Sequence, residues 1–198
     1  MEIQSKYSIV LMVLLAVTIP ADANAQASFK IVDSRDNCIE LSGTSTFQDW
    51  TMATLVIYGS ATFITEPGYY ITGLKEMEFS IPVTKLKSGK KELDKNAYKA
   101  LKEKHFRTVD YKLASAKITG EKDYKYLITT TGNLTIAGVT KQVIIDMACT
   151  PNKNGSITCE GTYSIKMTDY NIEPPNFFDG LMSTSESVAI NFSMRFER

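Results

Sequence analysis

The residue types that most often carry out chemistry are few in this chain and lie far apart. The 198 residues include one histidine and three cysteines. A zinc site or a histidine-dependent mechanism therefore has little to build on. His105 follows Lys104 at the end of a predicted helix, where the helix dipole accounts for a cationic side chain. Nothing beside it resembles a nucleophile elbow, so we predict no catalytic residue and no metal site.

The sequence also contains neither a phosphate-binding loop nor a pair of carboxylates suited to acid–base catalysis. Ser88-Gly89-Lys90 lacks the first glycine of a phosphate-binding loop. Aspartate and glutamate occur singly at outward-facing positions of predicted strands, so no pair for acid–base catalysis can be proposed. The 22 basic and 22 acidic side chains give a formal net charge of zero, which removes the simplest argument for a nucleic-acid partner. These residues give no support for an enzyme, and we expect no cofactor.

The first 25 residues have the organisation of a secretory signal peptide. Lys6 precedes an uncharged, mainly apolar run over residues 7–19, and the small residues Ala23 and Ala25 follow. We expect cleavage between Ala25 and Gln26, which leaves one mature domain, residues 26–198, in the periplasm or outside the cell. A membrane span needs about 20 apolar residues, so an uncleaved anchor is the weaker alternative.

Export would place the cysteines in an oxidising compartment, where disulfides persist. Residues 153–155, Lys-Asn-Gly, suit a three-residue hairpin loop with Gly155 in the left-handed conformation. The flanking strands then pair Cys149 with Cys159 at a non-hydrogen-bonded position, where Cα atoms lie about 4.5 Å apart. We predict a Cys149–Cys159 disulfide and a free Cys38. Two adjacent buried thiols are the alternative.

Alternation of apolar and polar residues with a period of two dominates the mature chain. It is clearest over residues 157–167 and 188–197, and it predicts strands with one dry and one wet face, as in antiparallel sheets. Weaker alternation elsewhere brings the total to about eight or nine strands. Residues 91–104 have helical spacing instead and predict one short amphipathic helix. Its apolar residues are Leu93, Ala97, Ala100 and Leu101.

An all-β chain with one helix and no internal repeat is typical of a single sandwich or an up-and-down barrel. Long strands that follow one another as hairpins favour the barrel. We predict an eight-stranded antiparallel β-barrel with one short helix. A barrel of this size can be filled by its own side chains or can hold one small ligand.

Several local strings resemble the YceI-like family. Residues 132–141, Gly-Asn-Leu-Thr-Ile-Ala-Gly-Val-Thr-Lys, closely resemble the strand–turn–strand signature of that family. Residues 86–102 are similar to its strand-to-helix crossing, residues 166–172 to the start of its late loop, and residues 43–50 to its early corner. The resemblance covers almost the whole mature chain.

The resemblance implies an extended, lipocalin-like barrel in the periplasm that binds a polyisoprenoid chain, such as a quinone tail or a related lipid. It brings no individual contact residue with it. Candidate lining residues come from the inward-facing positions of the predicted strands, and the pattern alone favours a packed core whereas the resemblance favours a ligand cavity. These residues are Phe79, Ile81, Tyr111, Leu113, Tyr126, Ile128, Val143, Ile145, Tyr163, Ile165, Ile190 and Phe192.

Three further features are candidates for contact with the ligand or its source. Phe177 and Phe178 could cover the barrel mouth as a lid, or pack on the edge of the core. Trp50 could line the mouth or pack at a corner. Residues 85–104 carry eight lysines and three acidic residues. That segment could make transient contact with anionic membrane headgroups, or it could be the solvated face of a helix.

The leading interpretation is a non-catalytic carrier of an apolar isoprenoid lipid. The alternative is a barrel with a packed core that acts as an envelope stress or protein-interaction module without a lipid. The ligand's headgroup, its chain length and the oligomeric state are not specified by the sequence.

Overall fold

The computed structural model describes residues 25–46, 48–68, 70–177 and 182–198. The strands within these ranges are β1 (Ala25–Ile31), β2 (Cys38–Gly43), β3 (Trp50–Thr54), β4 (Tyr58–Glu66), β5 (Tyr70–Pro82), β6 (Thr108–Lys122), β7 (Lys125–Ile136), β8 (Val139–Pro151), β9 (Ile157–Lys166), β10 (Asn176–Phe177), β11 (Met182–Ser183) and β12 (Ser187–Glu197). The helices are α1 (Lys91–Ala100) and two 3₁₀ turns, Val83–Lys85 and Met167–Tyr170.

Eight strands close into an antiparallel barrel, which confirms the predicted fold class. Their order is β1-β4-β5-β6-β7-β8-β9-β12, and β12 returns to β1. The closing contacts pair Lys30 with Glu197 and Ile31 with Phe196. From β4 to β9 each strand pairs with the next one along the chain, as a meander of hairpins requires.

Strands β2 and β3 lengthen this barrel at one end. Strand β12 pairs with β1 near Phe196 and with β2 over Ala189 to Ser193. Strand β3 pairs with β2 and reaches the segment after β5, because Ala53 and Lys87 exchange backbone hydrogen bonds of 2.8 and 2.9 Å. The barrel wall is therefore closed at two levels along its axis. At one level β12 continues into β1 and β4, and at the other it continues into β2 and β3.

The hairpin between β8 and β9 has the predicted register. Gly155 has a φ of 83°, and the Asn152 N–H donates to the Ser156 carbonyl at 2.7 Å. Cys149 lies opposite Cys159, and the two are joined in a disulfide with their Cα atoms 4.1 Å apart. Cys38 is a free, half-buried thiol. Its burial, and to a smaller extent the negative charge of Glu40, raise its pKa.

The barrel end that contains the disulfide is filled with aromatic rings; we name it the aromatic end, defined by Phe29, Phe63 and Phe196. Phe63 lies between the other two, edge-on, with ring centroids 5.5 and 5.8 Å away. Phe63 and Phe196 are completely buried. Edge-to-face contacts of this kind add stability beyond the area that they bury, so this half of the barrel is a close-packed core.

Helix α1 covers the opposite end, which we name the helix end. Its apolar residues pack against the core, as the spacing predicts. The helix ends at Ala100, earlier than predicted, because Lys102 has a φ of 54° and the Lys102 N–H turns back to the Lys99 carbonyl. In the described ranges of the chain, no helix has the length and apolar character needed to cross a membrane.

Reduction of the Cys149–Cys159 disulfide should lower the free energy of unfolding by about 2–3 kcal/mol, because the bond restricts the unfolded chain around a short loop. Urea unfolding with and without dithiothreitol measures the difference. The double variant Cys149→Ala/Cys159→Ala is the control and should not respond to the reductant. An oxidised protein whose mass equals that of the reduced protein would contradict the bond.

Candidate ligand cavity

The helix end of the barrel encloses a cavity of about 470 Å³. Strands β2, β3, β5 to β9 and β12 contribute apolar side chains to its wall, and α1 contributes to its roof. The aromatic end contributes nothing to it, since Phe29, Phe63 and Phe196 do not line the cavity. The interior is therefore divided along the barrel axis into a packed half and a hollow half.

Most of the residues predicted from strand alternation line this cavity. They are Phe79, Ile81, Tyr111, Ile145, Tyr163, Ile165, Ile190 and Phe192. The remaining four, Leu113, Tyr126, Ile128 and Val143, lie outside the lining, with Leu113 half-buried and the other three buried in the core. Alternation shows which side of a strand faces inward, but it does not show at which level along the axis a residue lies.

Phe79 and Tyr111 line the cavity, and Tyr111 also contacts Thr130, which is completely buried and does not line it, so we assign this pair to the floor of the cavity. Their rings stack with centroids 5.1 Å apart and an angle of 17° between their planes. The Tyr111 hydroxyl donates to Thr130 Oγ1 at 3.1 Å, and Thr130 Oγ1 donates to the Ile145 carbonyl at 2.9 Å. Thr130 is completely buried. These hydrogen bonds satisfy the buried polar atoms within the protein, so they offer no unpaired polar group to the cavity.

Two glycines bring aromatic rings of the wall close to the opposing backbone. A Cβ atom on Gly132 would overlap the ring of Tyr111, and one on Gly161 would lie 2.5 Å from Cζ of Phe192. Gly161 and Phe192 are direct cross-strand partners. A side chain at either glycine would push a ring toward the centre of the barrel, so glycine at these positions helps to keep the cavity open.

Helix α1 forms the roof of the cavity. The apolar side chains from which the helix was predicted are the ones that face the cavity. Leu93, Ala97, Ala100 and Leu101 all line the cavity. The sequence predicted the helix and its apolar face but did not assign that face to the binding site. The apolar spacing was the available signal, because an apolar helix face must be buried against something.

Polar contacts fasten the helix to the barrel. The N–H and Oγ–H of Ser88 donate to Asp94 Oδ1 at 2.8 and 2.6 Å, and these hydrogen bonds hold the pKa of the Asp94 carboxyl below its ordinary value. The Tyr98 hydroxyl donates to the Leu86 carbonyl at 2.7 Å. Both anchors join α1 to the segment that follows β5, so the roof is held in a defined position.

The added strands β2 and β3 supply a second set of lining residues that the sequence did not assign to the site. These are Ile39, Leu41 and Met52. Trp50 lines the cavity and also packs on Gly43, its partner at the corner between β2 and β3, so it combines both predicted roles. Its Nε1 is buried and has no hydrogen-bond acceptor among the described residues. The cavity reaches solvent beside Gln48, Lys90 and Glu92, since these residues both line it and are exposed.

The late loop reaches the cavity through Pro175 and Thr184. Phe177 belongs to the backbone of β10, which pairs with β11, but its side chain lies outside what the structure describes. Phe178 falls outside the described residues altogether, so the proposed lid role stays a prediction for both. Across the described residues, no group of three His, Cys, Asp or Glu side chains could hold a metal ion.

The division of the interior predicts unequal costs for removing two phenylalanine rings. Phe63→Ala should lower the free energy of unfolding by about 3–5 kcal/mol, because the ring is surrounded on all sides. Phe192→Ala should cost about 1–2 kcal/mol, because one side of that ring already faces the cavity. Urea unfolding of both variants measures the contrast, and equal costs would show that the helix end is also packed.

The chain matches the YceI-like domain model over residues 40–196. No curated protein sequence matches it. Among solved structures, it is similar to BcnA from Burkholderia cenocepacia, with a TM-score of 0.65 and 16% identity over 83% of this chain and 98% of that one. At 16% identity, the similarity shows that the two proteins share a fold and nothing more.

Two further structures share the fold. One is a polyisoprenoid binding domain from Saccharophagus degradans, implicated in plant cell wall breakdown, with a TM-score of 0.64 and 13% identity over 87% of this chain and 98% of that one. The other is the YCEI protein of Campylobacter jejuni, with a TM-score of 0.53 and 20% identity over 71% of this chain and 81% of that one. The family model covers most of the chain and the barrel agrees with it, so this protein belongs to the YceI-like family.

Proposed function

We propose that this protein binds one apolar isoprenoid-like lipid chain inside the helix end of the barrel and catalyses no reaction on it. The observation that carries the proposal is the apolar lining of the cavity, which opens to solvent at one end and has the Phe79–Tyr111 pair at the other. The polyisoprenoid binding domain from Saccharophagus degradans, which has the same fold, supports this choice of ligand class.

The size of the cavity indicates the length of the chain. An apolar cavity of about 150 Å³ accepts one benzene molecule. On that scale, 470 Å³ accommodates about 20 carbon atoms, or about four isoprene units. Burial of such a chain contributes about 16 kcal/mol before the costs of association are subtracted. The apolar surface alone is therefore sufficient for tight binding, and no polar recognition motif is needed.

The position of the floor sets the orientation of the ligand. A chain that enters beside α1 stops at Phe79 and Tyr111, so its tail occupies the hollow half and its head lies near Gln48, Lys90 and Glu92. These polar side chains suit a headgroup that stays in contact with water. Carbon atoms beyond the length of the cavity would project out of the barrel at the same place.

The titratable groups in the wall support binding without catalysis. Tyr111 and Tyr163 line the cavity, and burial raises the pKa of both hydroxyls. Both phenols are therefore neutral at physiological pH and are poor bases. The acidic and basic lining residues, Glu92 and Lys90, lie where the cavity meets solvent rather than at its floor.

We also propose that the domain acts in the periplasm or outside the cell, after removal of residues 1–25. Cells that express the full chain should release a mature form that begins at Gln26, since the small residues before it match a signal-peptidase site. Intact mass measurement of the exported protein tests this, and a mature form that retains residues 7–19 would contradict it.

The lipid itself is tested by extraction. Purified protein treated with organic solvent should release an isoprenoid lipid that mass spectrometry identifies, and protein stripped of lipid should take up a prenyl alcohol of about four isoprene units. An empty extract together with no uptake would contradict the proposal and would favour the packed-core interaction module.

A variant that fills the cavity provides the matched control. Ala97→Phe places a ring in the roof of the cavity and should weaken uptake of the prenyl alcohol by about 10–100-fold, because the ligand must displace the ring. Ala114→Phe adds the same ring at an exposed position of β6, away from the cavity. Equal affinity in both variants would place the binding site elsewhere.

A further inference from the structure

The charge of this neutral protein is unevenly distributed. Residues 85–104, which contain α1, carry eight lysines and three acidic residues, whereas the rest of residues 26–198 carries 13 basic and 17 acidic residues. The positive excess is therefore concentrated at the helix end, and the remainder of the mature chain is net negative. Such an asymmetry orients a protein in an external electric field or near a charged surface.

Lys91, Lys95 and Lys99 form the centre of this charge; we name them the lysine stripe. They follow one another at intervals of four residues along α1, so they lie on one side of the helix. All three are exposed, and none is within ion-pair distance of an acidic group in the described part of the chain. Like charges at this spacing destabilise an isolated helix; the helix dipole accounts for Lys99 in the last turn but not for Lys91 and Lys95.

The acidic residues of the segment do not neutralise the stripe. Asp94 is nearly buried, accepts hydrogen bonds from Ser88 and lies 3.8 Å from Lys87. Glu92 lines the cavity opening, and Glu103 is half-buried beyond the end of the helix. Asp94 and Glu103 lie in the same surface depression as the stripe, together with Lys87, Lys102 and Lys104, so six lysines face two acidic groups there and this side of α1 keeps a positive excess.

The lysine stripe is adjacent to the route into the cavity. Helix α1 presents Leu93 and Ala97 to the cavity and the stripe to solvent, and Lys90 and Glu92 lie where the cavity opens. Phe106, which follows the helix, is 39% exposed and packs over Gly138 at the same end of the barrel. The apolar face of α1 lines the cavity and cannot insert into a bilayer, so a membrane contact here would rely on lysines attracted to anionic headgroups, with the Phe106 ring beside them.

We propose that the lysine stripe docks this protein on an anionic lipid bilayer with the cavity opening toward the membrane. The inference rests on the proposed function in one respect: a lipid that leaves a bilayer for the cavity avoids water if the opening faces that bilayer. The positive charge of the stripe requires an anionic partner. Flexible lysines spread along a helix can each follow a mobile lipid headgroup, whereas a protein surface holds its acidic groups in fixed positions, so we favour a bilayer as the partner.

Vesicle co-sedimentation tests the proposal. Protein stripped of lipid should bind vesicles of phosphatidylcholine mixed with phosphatidylglycerol, should not bind vesicles of phosphatidylcholine alone, and should dissociate as salt is raised. The variant K91Q/K95Q/K99Q should bind about 100-fold more weakly, because each lysine near an anionic surface contributes about fivefold. The control K117Q/K125Q/K153Q removes three exposed lysines outside the helix and should bind as the unaltered protein does.

The outcomes separate docking from lipid binding. Uptake of a prenyl alcohol in detergent solution should be unchanged in K91Q/K95Q/K99Q, and its unfolding midpoint should match that of the control. Equal vesicle binding by the two triple variants, or no binding by the unaltered protein, overturns the docking proposal even if the cavity binds lipid. Binding to soluble polyglutamate as tight as that to the vesicles also overturns it, in favour of an acidic protein partner.

Discussion

The stacked pair Phe79–Tyr111 divides the interior of this barrel, and the rest of the architecture depends on that division. The Tyr111 hydroxyl is held by Thr130, which is held in turn by the Ile145 carbonyl, so the layer is tied to three strands. On one side the interior is a close-packed core, as in most small domains. On the other side it is a cavity of about 470 Å³. The same fold therefore supplies stability at one end and space at the other.

The two ends are built by different parts of the chain. At the aromatic end, β1 and β4 close the wall around Phe63, and the disulfide joins β8 to β9. At the helix end, β2 and β3 close the wall a second time and α1 forms the roof. Because the aromatic end stabilises the barrel without help from the ligand, the helix end can remain hollow. A cavity lined by apolar side chains costs stability, and this arrangement confines that cost to half of the barrel.

The sequence predicted what local spacing determines and missed what depends on position along the barrel axis. Alternation showed that Phe79, Ile128 and Ile165 face inward, and the loop at Gly155 fixed the pairing of Cys149 with Cys159. It did not separate Ile165, which lines the cavity, from Ile128, which lies in the packed core. That distinction depends on strand shear and on which rings fill each layer, which are properties of the closed barrel. The roof was missed for a related reason, since an amphipathic pattern shows that a helix face is buried but not what lies beneath it.

The dependence of affinity on ligand length tests the hollow half and its floor most directly. Calorimetric titration of a series of prenyl alcohols into the stripped protein would give the binding free energy for each added isoprene unit. Affinity should rise with each unit up to about 20 carbons and then level off, because further carbons find no apolar wall beyond Phe79 and Tyr111. Affinity that continues to rise well past that length would show that the chain passes the floor, and the account of a divided barrel would be wrong.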